Sequence, residues 1–410
     1  MHHKWLTLVF ISLLASGCSW FTWLPWVDDP EGPDPMEPAK LVKFDAEIRV
    51  KRLWKVSIGE GLGKKYLRLN PVILADRIFA ADGYGVVEAR NRFDGKRIWR
   101  ARVGELEGGF FSSLNFFDRK DPSFVSGGVG AGAGFVLVGT TSGTVVALSA
   151  ADGAEVWRTF VGSEVLARPS VGDDAVFVQT IDGRLVALET KDGSVRWSFD
   201  NQVPVLTLRG TSAPVYDDGV VYGGFANGMV SAVKTDTGEP VWEQRIMLPE
   251  GRSELDRMVD VDGSPMLSGS LVYAVAYHGM LKAMRRSDGS PIWQRKHSSF
   301  LDLSEGYGQI YVVDETDLII AIDQQNAEET WSQANLYRRK LTSPVAFSNY
   351  LIVGDDEGYL HVLAQSDGRF LGRRKLDSDG LRSAMVVGDG KTLYVLGNSG
   401  SLQAIEIEVR

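Results

Sequence analysis

The chain has 410 residues, 44% of them apolar and 24% charged, with 44 basic against 53 acidic side chains and a net charge of −9. That balance fits a globular protein and argues against non-specific nucleic-acid binding, which needs a basic stripe. A single cysteine excludes an intramolecular disulfide, so the fold must hold by packing alone.

Residues 1–17 read as a lipoprotein signal peptide. His2-His3-Lys4 is a short basic start, and Leu6 to Ala15 is an apolar run too short to span a bilayer as a helix. The stretch Leu14-Ala15-Ser16-Gly17-Cys18 resembles a bacterial lipobox, in which the leader is cut before the cysteine and the thiol takes a diacylglycerol. Ala15 departs from the usual Leu. An ordinary signal peptide that merely contains a cysteine is the alternative, but Cys18 has no other evident use. In lipoproteins of this kind, Ser19 after the cysteine implies sorting to the outer membrane.

Residues 18–40 read as a lipidated tether. Trp20, Phe21, Trp23 and Trp26 suit either a membrane–water boundary or packing against the body of the protein. Asp28 to Pro38 carries Pro30, Pro33, Pro35 and Pro38 among acids, an extended linker without a core-forming pattern.

Residues 41–410 are built from a repeat. A run of the form Gly-x-Leu/Val-x-Ala-Leu starts at Gly85, Gly143, Gly183, Gly228, Gly279, Asp317, Gly358 and Gly400. One unit reads as four strands: Pro169-Ser170-Val171, Ala175 to Thr180, Arg184 to Glu189 and Val195 to Phe199. Asp173-Asp174, Asp182-Gly183 and Asp192-Gly193 separate them. Asp-Gly between alternating apolar runs signals a hairpin, because both residues tolerate positive φ. Four antiparallel strands of this length make one propeller blade. The expected fold is all-β, an eight-bladed β-propeller of four-stranded antiparallel blades.

Tryptophan placement supports that count. Trp99, Trp157, Trp197 and Trp293 each follow an Asp-Gly glycine by four residues, and Trp242 and Trp331 occupy the same slot after Thr237-Gly238 and Asn326-Ala327. Each indole is expected to fill the wedge between neighbouring blades, opposite a small Ala. The eighth slot holds Gly372, so one wedge should pack differently. Trp54 lacks a preceding repeat run, and the run at Gly400 lacks a following Trp. The N-terminal strand around Trp54 should therefore complete the C-terminal blade and close the ring, removing its free edges. Short basic runs at Arg285-Arg286, Arg338-Arg339-Lys340 and Arg373-Arg374-Lys375 read as solvated strand ends.

The links between blades differ in length. Counted from each Trp to the Pro opening the next blade, they run 12 residues from Trp157 and 13 from Trp331, but 17 from Trp197 to Pro214 and 23 from Trp242 to Pro265. The link after Trp99 is longer still and holds Phe110, Phe111, Phe116, Phe117 and Phe124; the role of this 105–127 loop is open. The 17- and 23-residue links belong to consecutive blades and must be neighbours on one rim, where long loops on a rigid scaffold carry binding residues. The first contains Leu206-Thr207-Leu208-Arg209-Gly210, the second Leu255-Asp256-Arg257 and Asp260-Val261-Asp262. Leucines beside an Arg and carboxylates would make a protein-binding patch, apolar at its centre and charged at its rim. Equally, Arg209 can pair with Asp260 or Asp262 and brace the loops; the two readings are compatible.

The pattern Tyr273-Ala274-Val275, Gly279-Met280-Leu281-Lys282-Ala283, Asp288-Gly289, Trp293 resembles the repeats of pyrroloquinoline-quinone dehydrogenases. Over nearly all of the mature chain, the closer resemblance is to the BamB family of outer-membrane lipoproteins. It rests on Leu206-Thr207-Leu208-Arg209-Gly210-x-Ser212-Ala213-Pro214, Glu254-Leu255-Asp256-Arg257-x-x-Asp260-Val261-Asp262, Leu341-Thr342-Ser343-Pro344-Val345, Gly358-Tyr359-Leu360-His361 and Asp367-Gly368-Arg369-Phe370. The resemblance implies a non-enzymatic subunit of the β-barrel assembly (BAM) complex that binds the periplasmic POTRA domains of BamA and helps deliver unfolded outer-membrane proteins. It also implies that Leu206, Leu208, Arg209, Asp260 and Asp262 form the BamA-binding surface. The 105–127 loop matches the family poorly.

The alternatives are a quinone-dependent dehydrogenase and a periplasmic ligand-binding propeller. The first needs a calcium held by carboxylates and an aspartate base, and many members stack their cofactor on a vicinal disulfide, which this chain cannot form. Asp314, Glu315 and Asp317 cluster, but at a strand-to-turn junction they read as turn residues. His278, His297 and His361 lie in different blades without ligand spacing, and neither a Gly-x-Ser-x-Gly elbow nor a phosphate loop before a helix occurs. The expectation is no cofactor, no metal and no catalysis.

Overall fold

The computed structural model describes residues 37–63, 66–104, 125–204, 206–208, 210–249, 252, 253, 255 and 257–410. The signal peptide, Cys18, the tether tryptophans, the five phenylalanines of the 105–127 loop and Arg209 lie outside the described residues. Ala39–Arg410 makes one compact unit, and none of the described residues is helical.

The repeat read above as four runs folds as β10 (Ser170–Gly172), β11 (Ala175–Gln179), β12 (Arg184–Glu189) and β13 (Val195–Asp200), paired antiparallel in that order. Asp173 and Asp174 between β10 and β11 have φ of 48° and 57°, while Gly183 and Gly193 have 85° and 73°. These turns thus demand the left-handed backbone that Asp and Gly best tolerate. The same unit recurs, giving eight four-stranded sheets in a ring. Middle strands are buried on both faces and outer strands on one, which explains the continuous apolar runs in the former and alternation in the latter.

The eighth sheet is composite. β1 (Ile48–Ser57) pairs with β32 (Ser401–Val409), followed by β31 (Thr392–Leu396) and β30 (Val386–Val387). The chain's N-terminal strand is the outer strand of its C-terminal blade, as expected.

Seven tryptophans latch the blades together in one repeated way. Each stands opposite an alanine of the third strand, as Trp157 does Ala147, and a register shift lies beside each such pair. Bulges re-aim side chains. Here the indole Nε1–H donates to a carbonyl of the next blade: Trp54 to Arg92 (3.0 Å), Trp99 to Ala150 (3.0 Å), Trp157 to Thr190 (2.8 Å) and Trp197 to Thr235 (2.9 Å). Trp242, Trp293 and Trp331 do likewise with Arg286, Gln324 and Gln365. Six of the seven indoles also lie against the glycine of the next blade's last hairpin, and for Trp293 that position is Ala327. A Cβ on Gly193 would sit 2.5 Å from Trp157 Cε3. That glycine therefore answers two demands, a positive φ and the approach of a ring.

The missing eighth tryptophan follows from ring closure. The final blade has no hairpin between its third and fourth strands, because these are the two ends of the chain. No turn glycine or following carbonyl is there for an indole to engage. Gly372, opposite Val362, instead faces Ile48 of β1, whose Cδ1 would lie 2.2 Å from a Cβ at that position.

Arg285, Lys340 and Lys375 of the basic runs are exposed, as expected of solvated ends, but Arg339 and Arg373 are not. Arg339 is only 5% exposed and Arg373 half-buried. Arg339 Nε donates to Asp355 (2.8 Å), His361 Nε2 bonds the same carboxylate (2.9 Å), and Arg373 Nε donates to His361 Nδ1 (3.0 Å). The two guanidinium groups also hold the carbonyls of Ala39 and Val42, both at 2.9 Å. Burial holds His361 below its ordinary range, and as a neutral ring it must donate from Nε2 to Asp355. The buried charges thus tie the segment entering the propeller to the blade of β28 (Tyr359–Ala364).

Candidate partner-binding loops

Two long connectors leave consecutive blades: 201–214 after β13, and 246–265 after β17 (Pro240–Arg245). They meet. The Leu208 amide donates to Asp260 Oδ2, and Gly210 packs against the Asp262 carboxylate, whose Cγ would stand 2.7 Å from a Cβ on that glycine. A Cβ at this position would push the Asp262 carboxylate aside.

The second connector is fixed from below. Val259 and Val261 are buried with Tyr222, Val230, Trp242 and Ile246. Val261 N–H donates to the Phe225 carbonyl (3.2 Å), and Tyr277 N–H to the Asp260 carbonyl (2.8 Å). Alternating Val-Asp-Val in this loop thus points valines into the blade wedge and Asp260 toward the neighbouring loop. Asp260 is 0% exposed, and among the described residues its Oδ1 finds no donor. Burial pushes its carboxyl up to about 7, against the pull of the Leu208 amide. Burial, then the charge of Asp260, raises Asp262 to about 7 as well, with Arg68 opposing.

Apolar side chains cover the outside of the pair. Leu206 is 38% exposed, Val203 38%, Leu248 65% and Leu255 62%, while Leu208 is partly buried. The structure therefore joins Leu208 to Asp260 and Gly210 to Asp262, and places Asp260 inside the loop pair and not at a charged rim. Its carboxylate is occupied in holding Leu208. Sequence reasoning did not single out Gly210 as a contact glycine, nor Tyr277 and Phe225 as supports; the Val-Asp-Val alternation was the available signal.

The other residues weighed for chemistry are engaged in turns. Asp314 Oδ1 accepts from the Thr316 (2.8 Å) and Leu318 (2.9 Å) amides, Asp317 from those of Lys340 and Leu341 (both 2.8 Å), and Glu315 from Ser298 Oγ (2.6 Å). His278 stacks on Tyr277 with ring centroids 4.0 Å apart. Among the described residues no three His, Cys, Asp or Glu side chains converge as a metal site would require.

Comparison with known proteins gives a consistent result. A family model described as "Outer membrane protein assembly factor BamB" matches residues 84–333 and 319–409. Proteins of that name are 38% identical in Yersinia pestis, covering 97% of both chains, and 40% identical in Pseudomonas aeruginosa, covering 98% of this chain and 99% of the relative. The crystal structure of BamB from Moraxella catarrhalis superposes with a TM-score of 0.77 at 26% identity, over 87% of this chain and 100% of that one. A quinohemoprotein alcohol dehydrogenase from Comamonas testosteroni superposes with a TM-score of 0.69 at 14% identity, over 87% of this chain and 76% of that one, a likeness of fold alone.

Proposed function

The chain belongs to the BamB family of outer-membrane protein assembly factors, and from that membership we propose a non-enzymatic scaffold of the BAM complex. It docks on the periplasmic POTRA domains of BamA through Leu206, Leu208 and Arg209, with Asp260 and Asp262 holding the docking loop in shape. Cys18 carries the lipid that keeps it on the periplasmic face of the outer membrane, where it assists insertion of β-barrel proteins. No cofactor takes part.

The observation that carries the docking site is the joining of two neighbouring connectors by Leu208 and Asp260 beneath exposed leucines. A braced loop loses less freedom on binding than a loose one. In a pull-down from detergent extracts, a BamA-like barrel protein should co-purify with the wild type. It should be lost with a Leu208→Ala, Arg209→Ala double variant that still folds, since removing an interface Arg from its carboxylate costs about 2–5 kcal/mol. Retention of the partner by that variant would remove the site assignment. Quinone-stimulated dye reduction with added calcium would point to an enzyme instead.

A further inference from the structure

On the face of the ring that carries the connectors, rings and guanidinium groups form a continuous ladder. It starts at Tyr277, whose amide holds Asp260, and whose ring centroid lies 6.3 Å from that of Phe300. Arg68 follows, its Cζ 5.3 Å from the Phe300 centroid and 5.5 Å from that of Tyr66. Arg382 also lies over the Tyr66 ring, at 4.9 Å from its centroid, and pairs with Asp356 at 3.1 Å, which takes Lys340 as well at 3.3 Å.

Arg68 lies in the connector from β1 to β2 (Val72–Leu74), and Phe300 in that from β21 (Pro291–Arg295) to β22 (Ser304–Gly306). These junctions are three apart around the ring, so their side chains meet over its mouth. Arg68 is partly buried and donates to the Phe300 carbonyl at 3.4 Å. Among the described residues it makes no ion pair. Stacking fixes a guanidinium plane and leaves its fork for a carboxylate. In a chain of net charge −9, this patch sets Arg68, Arg382 and Lys340 against Asp356 and the nearby Asp262, and Tyr66 stands 57% exposed beside them.

We propose that Tyr66, Arg68 and Arg382 form a second docking surface, which takes a carboxylate-bearing segment of the same protein partner that seats on the Leu206–Leu208 loop. This rests on the docking function proposed above. The ladder begins at the residue that holds Asp260, so both surfaces belong to one continuous face. An acidic protein segment fits it better than a lipid headgroup, because the ladder reaches Tyr277, whose amide holds the second connector of the docking loops.

The test titrates the full-length chain in detergent with the periplasmic domains of a BamA-type protein, at several salt concentrations, while following hydrogen exchange at the Leu208 and Tyr277 amides. Arg68→Ala should weaken binding about tenfold or more, and Arg68→Ala with Arg382→Ala should also flatten its salt dependence. Arg68→Lys should recover only part, because charge remains but the planar fork is lost. Exchange at Leu208 should not change. Wild-type affinity in the double variant overturns the proposal. So does weaker binding accompanied by faster Leu208 exchange, which would make the ladder a brace and not a contact. Phosphatidylglycerol vesicles that bind the wild type but not the double variant would assign the patch to membrane and overturn it too. A wild type that fails to bind the periplasmic domains refutes the docking function itself, and this surface with it.

Discussion

Asp260→Asn isolates the cost of the carboxylate inside the loop pair. The substitution keeps an oxygen to accept the Leu208 amide and removes the charge. In the folded protein Asp260 titrates near 7, in the unfolded chain near 3.9. Between those values the folded state holds a proton that the unfolded state has released, so unfolding free energy falls as pH rises. The stability from this group is fully present below about pH 4 and is lost as pH passes through about 7. Three pH units correspond to at most about 4 kcal/mol. The Asn variant lacks this slope. Its Asp262 also loses the repulsion of Asp260, which shrinks a second slope of the same sign. Unfolding free energies from urea titrations of both proteins from pH 4 to 8 should therefore diverge in the variant's favour as pH rises, by up to about 4 kcal/mol. If the loops open locally before the ring does, the same trend appears as Leu208 amide exchange that accelerates with pH in the wild type more than in the variant. Parallel stability curves and parallel exchange profiles over that range would refute the reasoning.

Trp157→Ala should cost about 3–5 kcal/mol in urea unfolding, because the indole is 7% exposed and spans two blades. Trp157→Phe should cost about 1–2 kcal/mol, the share of the bond to the Thr190 carbonyl. Gly193→Ala should lose about 2 kcal/mol or more, since its φ is +73° and the new methyl meets the Trp157 ring. Asp182→Ala, in an exposed turn where the carboxylate pairs with Arg184 at 2.7 Å, should cost less than about 1 kcal/mol and leave partner capture intact.

The blades were legible because their signal is local. Gly-x-Leu-x-Ala-Leu marks a strand buried on both faces, and the Trp four residues past a turn glycine marks the strand outside it. Even the defect at Gly372 could be read as an unusual wedge. Its cause was not legible, since it lies in the chain ends meeting and not in any neighbouring residue. The wedge position of the indoles was legible, but the atoms each meets in the next blade were hidden. Gly153 gives no sign that its open side belongs to the Trp99 ring, because hairpin geometry alone explains a glycine there. The loop pair was visible in outline from connector lengths, whereas the inward turn of Asp260 depended on Val259 and Val261 finding an apolar wedge. Arg68 and Phe300 share no periodicity, and only the curvature of the ring brings them together.

The composite eighth blade sets an order of events for the newborn chain. Synthesis delivers β1 first and β32 last, so blades assembled along the way form an arc with an unquenched edge at its beginning. Only the final residues convert the arc into a circle. A premature stop near the C-terminus would therefore do more than delete a strand: it would leave the opening segment without a mate and expose that bare edge to other chains.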